Sequence, residues 1–374
     1  MEPQLPTWHI DPNRVIGELE RRDLDGVLAG DDPIWGRFTD LPFVRVRGVA
    51  THWEDSPAAV GEAMADLLAG VYGLRANLLF LVVGQQSPQG VPETAVYVAL
   101  EQGDGDEAGL EPLLRNMLTA LFPGILLGET IAQPGQGLAA AGYMANRGVL
   151  CGVPALTTPR PAGPDGATDP GGAARQPRDR AAYRVPIDRV IRAMQGEQWA
   201  FLLRAEPVRH DSINGHLTRR LEQATQLASQ SRFQQQSVSQ EMRANEKNVQ
   251  TGTTQSFSRE LVDRPTQYAL TLCEQEIERL RRARQVGLWR VEAHYCAATA
   301  AACARMSVLF ISAVSGSELS ADRIRATACQ PSGRPLEAFV TLLTSPELAS
   351  LVHLPLEETQ GYRLAPYALS LIHI

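Results

Sequence analysis

Apolar positions along the chain follow two periods in turn. Ile10 to Arg22 places Val15, Ile16 and Leu19 on one face of a helix, and Pro57 to Val71 repeats Val60, Met64, Leu67 and Leu68 at helical spacing. Asn77 to Gly84 is a continuous apolar run closed by glycine, the pattern of a buried strand, and Thr94 to Leu100 suits a neighbour. Glu107 to Leu121 is amphipathic again and stops at Phe122-Pro123-Gly124, before a third strand from Ile125 to Ile131. That order predicts two layers, helices against a mixed sheet.

Thr158 to Pro177 is rich in Pro, Gly and Ala, with almost no large apolar side chain, and reads as a linker or a long exposed loop. Beyond it, a helix from Pro186 to Met194 and a strand from Trp199 to Arg204 open a second domain. Two long polar stretches follow. His210 to Asn248 carries a thin apolar stripe of Leu217, Leu221, Ala224 and Leu227, and Arg264 to Arg284 carries Tyr268, Leu270, Leu272, Ile277 and Leu280. With the loop-like Thr251-Gly-Thr-Thr between them, they predict a projecting helical hairpin over about 210–287. Leu288 to Tyr295 alternates as a half-buried strand. A helix from Ala298 to Val314 and a segment from Pro335 to Leu343 complete the expectation. The fold class is α+β, two domains of helices packed on mixed sheets. The expected division is 1–157, a linker at 158–178, an accessory domain at 179–344, a connector at 345–368 and a separate tail at 369–374.

Composition changes this picture in three places. The 374 residues are 44% hydrophobic and 21% charged, which is ordinary for a globular protein with a sizeable core. Residues 1–171 hold 10 basic and 22 acidic side chains, a net of −12, whereas 172–300 hold 20 and 14, a net of +6. Polyanion binding is thus excluded for the first region by bulk charge and open for the second. Five cysteines, Cys151, Cys273, Cys296, Cys303 and Cys329, show no CxxC spacing, which argues against a disulfide scaffold or a structural zinc site and fits a reducing cytoplasm. No signal-peptide pattern opens the chain. The Ala-rich run from Cys296 to Val314 is broken by Arg305, so a packed helix is expected and not a membrane span.

Candidate chemistry is sparse. A P-loop needs a Gly-rich turn and a Lys followed by Ser or Thr, and the only lysine, Lys247, sits in Ala244-Asn-Glu-Lys-Asn-Val249. Gly135-Gln-Gly-Leu-Ala-Ala140 has the G-x-G-x-x-A form, yet no acidic residue follows at the distance that a ribose requires. His294 and Cys296 share a strand face without a third ligand pattern, and His210 and His216 lack the i, i+4 spacing of two ligands on one turn. Asp31/Asp32 and Glu357/Glu358 are adjacent pairs in loops and read as solvated surface. Asp211 and Ser212 read as helix caps. Arg279, Arg281, Arg282 and Arg284, with Arg219, Arg220 and Arg232, suit phosphate contact or a helix C-terminus equally well. No catalytic, cofactor-binding or metal-binding residue is assigned.

The most informative stretch is Ser345-Pro-Glu-Leu-Ala-Ser-Leu-Val-His-Leu-Pro355. It resembles the S/T-x-E-E-L-A-x-L-x-H-x-P segment that precedes the motor domain of conjugation-type ATPases of the HerA–FtsK superfamily. Glu347, Leu348, Ala349, Leu351, His353 and Pro355 match, and Pro346 replaces the first Glu. The order of elements upstream, over about 186–368, is similar to the N-terminal region of type IV secretion and conjugative transfer ATPases. The resemblance implies a non-catalytic accessory region. ATP and magnesium belong to a motor lying beyond this chain, and assembly into a homo-oligomer runs through that motor. It further implies a protein partner for the hairpin, and a location in the cytoplasm or at the periphery of a membrane-bound secretion machine. Leu369-Ser-Leu-Ile-His-Ile resembles the in-frame translation of a sequencing adapter, so a native sequence continuing beyond Ala368 is expected. The alternative is a free-standing cytoplasmic regulator that binds protein or nucleic acid. A third reading, a dehydrogenase using Gly135 and Gly137, requires binding of a nicotinamide dinucleotide.

Overall fold

The computed structural model describes residues 10–20, 41–53, 57–87, 89–102, 109–132, 142–154, 185–246, 264–315, 322–327, 330–331 and 339–366. The tail at 369–374, the linker at 158–178, the Gly135–Ala140 motif, Asp31/Asp32, Lys247 and Cys329 lie outside them.

The chain is α+β and divides into two compact units, residues 1–26 with 209–285, and residues 27–208 with 286–374. The division expected from the linker differs, because it followed the chain in order. In the structure, strands from both sides of residues 155–184 alternate in one sheet.

In chain order the strands are β1 Pro42–Ala50, β2 Asn77–Gln86, β3 Pro92–Glu101, β4 Leu126–Ala132, β5 Asn146–Cys151, β6 Trp199–Pro207, β7 Leu288–Ala297, β8 Arg325–Ala326, β9 Gln330–Pro331, β10 Val340–Thr344 and β11 Arg363–Ala365. They order as β11-β1-β3-β2-β6-β7-β5-β8, with β4 added to β1, β10 to β7 and β9 to β5. Every pairing is antiparallel except β1 with β11. β2 is apolar from Leu78 to Val83 because both its faces are covered, which suppresses the alternation of a one-sided strand. β1 does alternate, Val44 and Val46 inward with Arg45 and Arg47 between them, and this strand was not anticipated. β5 was missed too, being short with no alternation to read.

One face of the sheet carries the main core. Five helices contribute to it: α2 Pro57–Leu74, α3 Leu110–Leu121, α4 Pro186–Ala193, α7 Ala300–Val314 and α8 Ser345–Leu351. Met64, Leu67, Leu68 and Val71 of α2 pack there with Leu114 and Leu118 of α3. Phe310 of α7 meets Phe201 at 4.5 Å and Tyr295 at 6.1 Å between ring centroids. Each fully buried side chain of this size contributes about 1.5–3 kcal/mol. The opposite face has a smaller cluster of Phe43, Leu79, Leu81, Tyr97, Ala200, Leu202 and their neighbours.

The other unit is helical. It consists of α1 Pro12–Glu20, α5 His210–Glu246 and α6 Arg264–Val286, the last residue of α6 falling just past the boundary. The long helices span the predicted hairpin segments. α1 buries Val15, Ile16 and Leu19; α5 buries Ile213, Leu217, Ala224 and Leu227; α6 buries Ala269, Leu272, Cys273, Ile277, Leu280 and Ala283. Polar bonds supplement these thin stripes. Glu18 pairs with Arg219 and Arg220 at 3.6 Å each, Gln230 Nε2 donates to the Ile10 carbonyl at 3.0 Å, and Tyr268 donates to Glu20 at 2.6 Å.

Among the described residues, no helix is long and apolar enough to cross a membrane. The run from Cys296 to Val314 ends β7 and forms α7. Cys151, Cys273 and Cys296 form no disulfide. Cys303 is disulfide-bonded, which the expectation of a reducing compartment did not include.

Candidate functional site

The stretch Ser345–Pro355 is built into the sheet unit from both ends. Thr344 ends β10 and N-caps α8, where its side chain and that of Glu347 close a capping box, Glu347 Oε2 accepting from Thr344 N at 2.7 Å. Pro346 falls in the first turn, where its missing N–H costs nothing. Ser345 Oγ accepts from Trp289 Nε1 at 2.9 Å and donates to the Val286 carbonyl at 2.5 Å. Leu348, Ala349, Leu351, Val352 and Leu354 all join the main core. His353 is buried, and burial lowers its pKa, so the ring is neutral. Nδ1 lies 2.7 Å from the Leu354 carbonyl and Nε2 lies 3.4 Å from the Pro57 carbonyl at the start of α2.

Past Pro355 the chain is seized by α4. Leu356 N donates to both oxygens of Asp188, at 3.1 and 3.2 Å, and the next residue, Glu357, pairs with Arg192 one turn along the same helix. The chain then turns through Thr359–Tyr362 and reaches the sheet. Thr94 N donates to the Gln360 carbonyl at 2.8 Å, and β11 lies parallel on β1. Glycine is required at two of these contacts. Gly361 has φ +88°, and a Cβ on Gly48 would stand 1.9 Å from the Arg363 carbonyl oxygen.

Asp188 and Tyr362 are the residues here that sequence reasoning missed. Asp188 sits on the apolar face of α4 with Ile187 and Ile191, and Pro186 ahead of it sets the helix start. That misplaced polarity was the available signal. Burial raises the Asp188 pKa from 3.8 to about 7, opposed by the Leu356 N–H and the charge of Arg192. Tyr362 is fully buried, and its hydroxyl is pushed well up by burial and by Asp188; no partner for it is found among the described residues.

A cleft of about 210 Å³ opens beside this segment, lined by Gln85, Glu93, Met194, Glu197, Trp199 and Gln360 among others. Its two carboxylates are already engaged, Glu93 by Arg45 at 2.7 Å and Gln85 at 3.2 Å, and Glu197 by Arg305 at 3.1 Å. Nothing in it selects a ligand charge.

His294 and Cys296 do share a face of β7, opposite the main core, and cross-strand pairing sets Arg147 beside Cys296. Burial, then the Arg147 charge, holds His294 down to about 3, while burial pushes the Cys296 thiol up to about 12. Burial thus favours the neutral imidazole and the protonated thiol, the less nucleophilic form of a cysteine. No group of three metal-ligating side chains occurs among the described residues. His210 and His216 are exposed on the first two turns of α5, where Asp211 lies inside the helix and not at its cap. Glu358 is exposed. Two of the four α6 arginines over 279–284 pair within their own helix, Arg279 with Glu276 at 3.3 Å and Arg281 with Glu278 at 3.9 Å, and Arg282 and Arg284 are exposed.

No known family's sequence profile matches the chain, and no curated protein matches it.

Proposed function

We propose that this chain is the non-catalytic accessory and assembly region of a HerA/FtsK-like DNA- or protein-translocating ATPase, with ATP and magnesium handled by a P-loop motor beyond Ala368. The observation that carries the reading is the build of Ser345–Ala365. The stretch that resembles the pre-motor segment is a capped helix seated in the core, and it runs on through the Asp188 contact into an edge strand. A segment held at so many points transmits force between the sheet unit and a motor attached at its C-terminal end. The helical unit, with thin apolar stripes and long polar faces, suits docking of a protein partner. Oligomerisation is assigned to the motor, and the cytoplasm or the edge of a membrane-bound secretion machine is the expected location.

The deciding experiment is to sequence the locus from an independent, transposon-free library past the codon for Ala368. A frame that runs on into a Gly-rich loop ending in Lys-Ser or Lys-Thr supports the reading, and a stop codon there overturns it. In the full-length protein, removal of residues 212–262 should abolish partner binding or assembly; both unchanged would refute the docking role.

One observation favours a second reading, a free-standing regulator. β11 lies parallel on β1, so the segment after Pro355 ends as a strand of this same sheet. Measurable binding of this chain to single- or double-stranded DNA, weakened by Arg282→Glu and Arg284→Glu, would support that reading in its nucleic-acid form.

A further inference from the structure

We infer that Asp188 is a proton-operated clasp on residues 352–366, seating that segment when its carboxyl is protonated and loosening it when the carboxyl ionises. An ionised carboxylate offers about four acceptor sites. Here a single N–H, that of Leu356, faces both oxygens, and the residue is only 6% exposed. The anion's other acceptor sites have no donor among the described residues, which is costly in a buried place. The protonated acid removes that charge and becomes a donor itself. Tyr362, the buried group within the field of Asp188, has a hydroxyl for which no partner is found among the described residues.

The surrounding charges leave this balance in place. On α4 itself Arg192 acts on Asp188, but its guanidinium is engaged by Glu357. The docked segment carries His353, Glu357, Glu358, Tyr362 and Arg363, and of these Tyr362 feels the charge of Asp188. The one charge of α7, Arg305, pairs with Glu197, and that of α8, Glu347, caps Thr344. The remaining attachments, the Thr94 N–H to the Gln360 carbonyl and the β1–β11 ladder, are backbone bonds that do not titrate.

The sign comes from the direction of the shift. The docked state raises the carboxyl from 3.8 to about 7, so docking is strongest below the ordinary carboxylate range. It weakens as pH rises through about 7 and is flat above. On the accessory-region reading the clasp would also set how stiffly this unit is joined to the motor. That consequence rests on the proposed function, whereas the clasp concerns this chain alone.

The test is amide hydrogen exchange on the whole chain at pH 5.5 and 8.5, corrected for the intrinsic rate and referred to amides of β2 and β6. Protection of Leu356 and Thr94 should fall about thirtyfold more than the reference, the change expected for a carboxyl titrating near 7 when docked and near 4 when released. Asp188→Asn, which keeps the acceptor and removes the titration, should abolish the difference. Equal protection at both pH values, or an unchanged difference in Asp188→Asn, overturns the clasp. Should that variant not fold, carbon-13 titration of the Asp188 carboxyl in the native chain decides. A midpoint between about 6 and 8 supports the inference, and one near 4 removes it.

Discussion

The sheet unit and the helical unit use apolar surface in opposite ways. β2, β3, β6 and β7 present buried side chains on both faces, and five helices close over one of those faces. In α5 and α6 the buried positions form single stripes, and Gln223, Gln230 and Thr266 are buried among them. The helical unit therefore relies on polar links, such as Gln230 to the Ile10 carbonyl and Glu18 to Arg219 and Arg220. Such bonds contribute about 0.5–1.5 kcal/mol each when sheltered and less at the surface. The difference teaches that the sheet unit is specified by non-local packing, whereas the helices draw on propensity, length and a few directed contacts.

Substitutions that test this contrast differ in size. The largest effect is expected for Trp289→Ala, which empties a fully buried site packed on Tyr72 and removes the donor to Ser345 Oγ. Chemical denaturation should show a loss of about 3–5 kcal/mol. In the helical unit, Leu280→Ala should cost about 2–4 kcal/mol, read from exchange of α6 amides; a loss as great as that at Trp289 would erase the contrast. Gly361→Ala forces a side chain to φ +88° against Glu93 and should cost about 1–3 kcal/mol, with release of the β11 amides. Thr344→Ala removes half of a capping box and should cost about 1 kcal/mol, seen as fraying of α8. The smallest effect, under about 1 kcal/mol, is expected for Glu18→Gln, and salt should diminish it further.

The long helices, the α2 and α3 faces and the central strands were legible because their periods are local properties of the chain. Segments at 210–246 and 264–286 emerged as helices on the strength of stripes such as Leu217, Ala224 and Leu227. β1 was overlooked although Val44-Arg45-Val46-Arg47 alternates, and β5 and β8 are too short to carry a period. The candidate site was half visible. Ser345–Pro355 stood out as a motif, and its leucines and His353 are buried. Asp188 and Tyr362 did not stand out, since residues 174 positions apart acquire meaning only when a turn after Leu356 lays one beside the other.

The sequence by itself determined the long helices and the central strands, the lack of a Gly-loop-plus-Lys phosphate site, and the acidic and basic parts of the chain. All of these depend on residues within a turn or two of one another, or on composition. Only the tertiary structure decided that strands from both sides of the Pro/Gly-rich stretch share one sheet. It alone showed that His294 and Cys296 are buried, and that Leu356 in the Ser345–Ala365 stretch bonds to a carboxyl on α4. Strand partners and desolvation depend on what distant segments bring to a place, and no local pattern encodes that.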